Sequence, residues 1–180
     1  MKTTPWLPLL ALAAAGCTLG RIAGPADPPD PPAASRTLAQ FSCAAGFAGW
    51  RVENGAPNGS IQASLVIDAT GNAVFAGDGP ASIWRDCNAI DVSAYRVLHL
   101  GLKGDGKCYA VCLDAEKNAR QTYVADFQTS GDWQEIALPL ADFAADPPDR
   151  PRDPGQPLAR VRIRAPAEPF RLEIDRIWLE

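Results

Sequence analysis

Six side chains take outward positions when the chain is read as alternating strands. They are His99 in "RVLHLGLK", Trp133 and Glu135 in "WQEIALPL", Arg162 and Arg164 in "ARVRIRA", and Glu173 in "FRLEIDRIWLE". A flat apolar ring surrounded by hydrogen-bond donors and acceptors is how sugar sites are built. These six are therefore the candidate ligand-binding set, for a glycan or another small polar molecule. Trp133 has a second reading, as a residue packing a sheet edge. Trp50, Trp84 and Trp178 are expected in the core or at an edge.

Catalysis has less to work with. The chain has 1 histidine, His99, and a mid-strand histidine is more often packed or exposed than a base. No Gly-x-Ser-x-Gly elbow is present. Gly104-Asp105-Gly106 lacks the strand, loop and helix context of a phosphate cradle. Glu135, Glu173, Asp175 and Asp126 include pairs that would fall within the glycosidase separation of roughly 5 to 9.5 Å. Any polar sheet face does that, so no catalytic residue is assigned and the chain is read as a non-enzyme.

The elements that must hold these residues are short strands divided by turn signals. "SIQASLVID" ends at "ATGN", "NAVFAGDG" at a Gly-Asp-Gly turn, and "KCYAVCLD" at "AEKNAR". "RVLHLGLKGDG" puts Leu98, Leu100 and Leu102 on one face and Val97, His99 and Gly101 on the other. Such alternation is the mark of a half-buried strand. "WQEIALPL" turns Ile136 and Leu138 inward, "ARVRIRA" Val161 and Ile163, and "FRLEIDRIWLE" Phe170, Leu172 and Ile174. About eight strands at this spacing predict an all-β sandwich or barrel. "PLADFAAD" (Pro139 to Asp146) predicts one short helical turn. The proline-rich stretch Asp146 to Pro157 predicts a loop.

The front of the chain reads differently. An apolar run from Trp6 to Ala15 follows Lys2. It is too short to span a bilayer, which takes about 20 residues. Its end, Ala14-Ala15-Gly16-Cys17, resembles a bacterial lipoprotein signal, in which the cysteine is lipidated and becomes the first mature residue. Ala14 departs from the usual Leu, and an ordinary secretory signal is the alternative. Thr18 follows the cysteine, where Asp often signals inner-membrane retention. "GPADPPDPPAAS" (Gly24 to Ser35) is an extended spacer without large apolar residues. The expected organisation is a signal at 1–16, a spacer at 17–36 and a folded domain at 37–180. The expected location is the periplasmic side of the cell envelope, with a membrane partner through the lipid on Cys17.

Composition bounds the rest. Net charge is −4 with no basic block, so nucleic acid is not expected as a partner. Cys43, Cys87, Cys108 and Cys112 are candidates for disulfides in an exported chain. On one strand Cys108 and Cys112 would stand about 13 Å apart, too far to join each other. Each would then reach for Cys43 or Cys87. No CxxC pair supports zinc.

From about Phe47 onward the chain resembles the complex I intermediate-associated protein 30 family. The pieces that carry this are Trp50, "AVFAG" (Ala73 to Gly77), "ASIWR" (Ala81 to Arg85) and "DVSAYRVLHLGLKGDGKCY" (Asp91 to Tyr109). "TYVADFQTSGDWQEIALPLADF" (Thr122 to Phe143) and "FRLEIDRIWL" (Phe170 to Leu179) complete the series. The resemblance implies a galactose-binding-type jelly roll related to carbohydrate-binding modules. It also implies, as the alternative function, a protein-interaction or assembly factor, since eukaryotic members assist respiratory complex I assembly. Related jelly rolls often hold a structural calcium, which makes Asp175 a candidate ligand. Its other reading is a cap on a bend where Ile177 re-enters the core. Otherwise no cofactor is expected. Two departures stand out. "NGAPNGSIQAS" replaces the family's Val-Met-Gly-Gly-x-Ser signature, and "RVRIRAP" replaces an Ile-Gly-Phe stretch.

Overall fold

A computed structural model describes residues 35–42, 44–55, 62–115, 121–146 and 156–180. The signal segment, Cys17, most of the spacer, Cys43 and most of the proline-rich loop lie outside them. The alternating segments form two 6-stranded sheets. The first sheet runs β3 (Ala63–Ile67), β4 (Ala73–Gly77), β12 (Phe170–Leu179), β6 (Val97–Lys103), β9 (Gln134–Pro139), and β1 (Arg36–Gln40) pairs with the far half of β12. The second runs β10 (Ala144–Asp146), β8 (Thr122–Gln128), β7 (Cys108–Asp114), β11 (Leu158–Arg164), β5 (Ala81–Ile90), β2 (Arg51–Asn54). Every pairing is antiparallel. Among the described residues no helix is long and apolar enough to cross a membrane.

The core lies between the sheets. Leu98, Leu100, Leu102, Leu172 and Ile174 from the first sheet join Ile83, Val111, Val161 and Ile163 from the second, each 0% exposed. Burying a side chain of that size contributes about 1.5–3 kcal/mol, and all of these except Ile83 and Val111 are residues whose inward parity the alternation predicts. The helical turn in "PLADFAAD" is a 3-10 turn at Leu140–Asp142, after which Ala144–Asp146 continues as β10. One α-helical turn, α1 (Ala44–Phe47), lies between β1 and β2.

Asp175 occupies a bulge. The register of β12 against β6 shifts between Ile174 and Arg176, which returns Ile177 to the core at 0% exposure. The Asp175 carboxylate lies 3.8 Å from Arg176 Nε. Among the described residues no group of three or more His, Cys, Asp or Glu side chains converges as metal ligands would. The Arg176 guanidinium is thus the cation beside Asp175.

The cysteines do not pair as expected. Cys87, Cys108 and Cys112 are free thiols. Cys87 belongs to the inter-sheet core, while Cys112 sits beside Arg162 in the row of outward side chains, and β11 separates their strands. Burial pushes both the Cys87 and the Cys112 thiol up to about 11. Cys108 is exposed.

The β6–β7 hairpin is clamped through Asp105. Its carboxylate accepts from Tyr109 Oη at 3.0 Å and from the Arg171 N–H at 3.0 Å, and pairs with Lys107 Nζ at 3.2 Å. Lys107 Nζ also donates to the Pro169 carbonyl. Burial raises the Asp105 pKa, but the Arg171 N–H, Lys107 and Tyr109 outweigh it and hold the carboxyl below its ordinary value. A depressed carboxyl stabilises the fold above its unfolded pKa, near 4, and loses that contribution as pH falls through the folded value. Asp105→Asn is expected to lower stability at pH 7 by about 1 kcal/mol. The gap to wild type should close below about pH 4. Denaturant titrations across pH check this; a gap that persists at low pH would count against it. Gly104 completes the clamp, because a Cβ there would lie 2.3 Å from Thr129 Cβ.

Candidate functional site

The six predicted ligand residues divide between two outer faces. His99, Glu135 and Glu173 lie on the first sheet, with Trp133 just ahead of β9. Arg162 and Arg164 lie on β11 of the second. On the first sheet His99 and Glu135 do meet: Nδ1 lies 2.8 Å from Glu135 Oε1. His99 Nε2 faces Glu180 Oε2 at 3.2 Å, an ion-pair distance without hydrogen-bond alignment. The imidazole stacks on Trp178 at 4.9 Å and 10°, and Arg176 lies 4.6 Å from the Trp178 ring centre. Gly101 leaves room for this, since a Cβ there would press on Arg176 Cγ at 3.3 Å. His99, Arg176 and Trp178 are all buried. Glu173 is engaged by Arg171 at 3.0 Å. Trp133 is 42% exposed. Around His99 this face is a packed cluster, with Trp178 hidden and the histidine held between Glu135 and Glu180.

The outer face of the second sheet is built differently. Strand register sets its side chains in rows. Arg51, Trp84, Arg162, Cys112 and Val124 form one row. Asp86, Arg160, Asp114 and Thr122 flank it on one side. Glu53, Ser82, Arg164, Ala110 and Asp126 flank it on the other. Trp84 is half-buried at the centre. The Arg160 guanidinium lies 4.0 Å from its ring centre and that of Arg51 5.3 Å. Such contacts hold an arginine planar against an indole.

Beneath this layer runs a polar floor. Asp114, 0% exposed, accepts from Arg162 Nη2 at 2.9 Å on both oxygens and from Thr122 Oγ1 at 2.7 Å. Arg160 Nε donates to Asp86 at 3.1 Å. Ser82 Oγ lies 3.5 Å from Glu53 Oε2. Burial keeps the Cys112 thiol neutral despite the opposing pull of Arg164 and Arg162. The face therefore offers an aromatic platform edged with guanidinium donors and a few carboxylate acceptors. That suits holding a polar ligand.

Trp84 and Asp114 were not among the predicted residues. The signal for Trp84 was available, because it follows Ile83 in "ASIWRD" and alternation must turn it outward if Ile83 is core. What masks it is Arg85, an arginine at inward parity. Arg85 Nη1 donates to the Leu38 carbonyl at 3.0 Å and the Gly46 carbonyl at 3.2 Å, tying β5 to the α1 region. A cleft lined by Val92, Leu113, Leu140, Leu158 and Leu179 is mostly apolar, with Asp114 and Gln156 also in its wall.

The family model described as complex I intermediate-associated protein 30 matches residues 40–165. The chain belongs to this family. The match begins ahead of Trp50, includes all of the second sheet and stops before β12. No curated protein matches this family member.

Solved structures similar to it are carbohydrate-binding modules. A family 11 module from Clostridium thermocellum, in complex with a β-1,3-1,4-mixed-linked tetrasaccharide, is 15% identical with a TM-score of 0.59, over 81% of this chain and 94% of that one. The family 30 module of the cellulosomal cellulase Cel9D-Cel44B from the same organism is 15% identical with a TM-score of 0.58, over 81% and 96%. A family 29 module is 13% identical with a TM-score of 0.53, over 81% and 83%. At such identities the likeness shows the fold: this complex I intermediate-associated protein 30 relative is a jelly-roll β-sandwich.

Proposed function

We propose that this protein is a non-catalytic binding domain of the cell envelope, tethered by lipid on Cys17, and that it holds a glycan on the outer face of its second sheet. The observation that carries this is Trp84, half-buried on an outward row between Arg51 and Arg162, with Asp114 bracing the arginine beneath. The fold shared with carbohydrate-binding modules supports it. The β-1,3-1,4-mixed-linked tetrasaccharide in complex with the family 11 relative makes a linear saccharide the first ligand to try. Lipid attachment is supported by the sequence around Cys17 and is read by loss of labelled fatty acid in Cys17→Ala.

Glycan-array screening followed by calorimetry tests the binding reading. Trp84→Ala is expected to weaken glycan binding at least about tenfold, on the scale of an aromatic contact plus the arginines it orders. Trp133→Ala, on the other sheet, should leave the affinity within about twofold. Glycan affinity lost with Trp133 and kept without Trp84 would move the site. No affinity for any glycan would remove the reading.

Membership of a family described by its association with a complex I intermediate favours a second reading, a protein-interaction or assembly role. Its signature is co-purification with a membrane complex and no glycan binding.

A further inference from the structure

The glycan-binding reading leaves the sugar's chemistry open, and the donor count of the same face narrows it. Resting on that reading, we propose that the ligand is an acidic glycan whose carboxylates are received by Arg51 and Arg164. Among the described residues neither arginine makes a hydrogen bond or ion pair. The Arg51 guanidinium lies 5.3 Å from the Trp84 ring centre, and Arg51 and Arg164 are both exposed. Each guanidinium carries five N–H donors in a planar fork that matches a carboxylate. Arg160 spends Nε on Asp86, and Arg162 spends Nη2 on Asp114.

The platform itself points the same way. With Arg160 at 4.0 Å from the ring centre, part of the indole face is already covered. What an incoming saccharide meets around Trp84 is guanidinium edge as much as bare ring. A neutral sugar would leave most of these donors to water, while a uronic acid gives them charged acceptors.

The rows of this face carry four carboxylates beside the four arginines, and two of the four are already taken. Asp86 and Asp114 are engaged by Arg160 and Arg162. Glu53 stands two residues along β2 from Arg51, and Asp126 lies two strands from Arg164. Two strand spacings are about 9.6 Å, near the physiological screening length of about 8 Å. Asp146, on β10, is farther still. Arg51 and Arg164 are separated by two strands and one pleat repeat, about 12 Å between backbones. They would therefore engage different sugar units of one chain.

Three probes test this with the full-length protein: polygalacturonate, its fully methyl-esterified form, and mixed-linkage β-glucan. The ester keeps the backbone and removes the charge. Polygalacturonate is expected to bind at least tenfold tighter than the ester, with affinity falling as salt rises. In Arg51→Ala combined with Arg164→Ala the difference should shrink to about twofold, with the circular dichroism of the fold unchanged. Equal affinity for acid and ester, or binding to β-glucan alone, would overturn the acidic ligand and leave glycan binding standing. No affinity for any of the three would overturn both.

Discussion

Asp114→Ala is expected to cost about 3–5 kcal/mol of folding stability, the range for breaking a buried ion pair by removing one partner. Asp114 is fully buried, while the side chain of Arg162 keeps 19% exposure. Arg162 Nε is buried without a hydrogen-bond partner among the described residues, so its pairing is carried by Nη2 on the two Asp114 oxygens. Losing that carboxylate strands a charge in the sheet. The same reasoning gives a second outcome. Asp114→Leu with Arg162→Met removes the charge as well, and should recover at least half of the loss, because an apolar pair of similar size avoids the desolvation cost. Urea denaturation of the wild type and the two variants decides it. A loss under about 1 kcal/mol for Asp114→Ala would mean that Arg162 finds solvent instead.

Trp178→Ala is expected to cost a similar amount, about 3–5 kcal/mol, as large-to-small changes at buried aromatics do. Trp178 is 3% exposed, although it lies on the outer side of the first sheet. The His99 ring stacks on it at 4.9 Å and the Arg176 guanidinium lies 4.6 Å from its ring centre. Removing it takes away a large apolar area and leaves both neighbours without their stacking surface. On a domain of this size, the melting temperature should fall on the order of 10 °C. Trp133→Ala, by contrast, truncates a side chain with 42% exposure, and should stay within about 0.5 kcal/mol. A Trp178→Ala protein that melts with wild type would show that the stack is decorative.

The inward face of the fold was legible because leucines and isoleucines at every second position have one reading. Leu98, Leu100, Leu102, Val161, Ile163, Leu172 and Ile174 are all core. The strands that escaped, β1, β2, β5 and β10, are those where alternation is short or broken. Arg85 takes an inward position in β5, and Asn88 and Ala89 bend its end with φ of 54° and 56°. Parity also told which side chains leave the core without telling which sheet they leave from. Strand order is set by pairings distant in sequence, such as β11 with β5 and β12 with β6. So His99 and Arg162 looked alike from the sequence and stand on opposite sides of the molecule. A tryptophan's fate was similarly hidden. Trp84 by alternation and Trp178 through the bulge at Asp175 both face outward, and only their neighbours make one accessible and the other enclosed.

The pairing of β1 with β12 has a geometric result for presentation. Arg36 lies opposite Leu179, so the two ends of the described sandwich emerge side by side from one sheet. Any tether joined ahead of Arg36 would pull on that sheet. Trp84 and its arginines stand on the outer face of the other sheet, turned away from that point of entry.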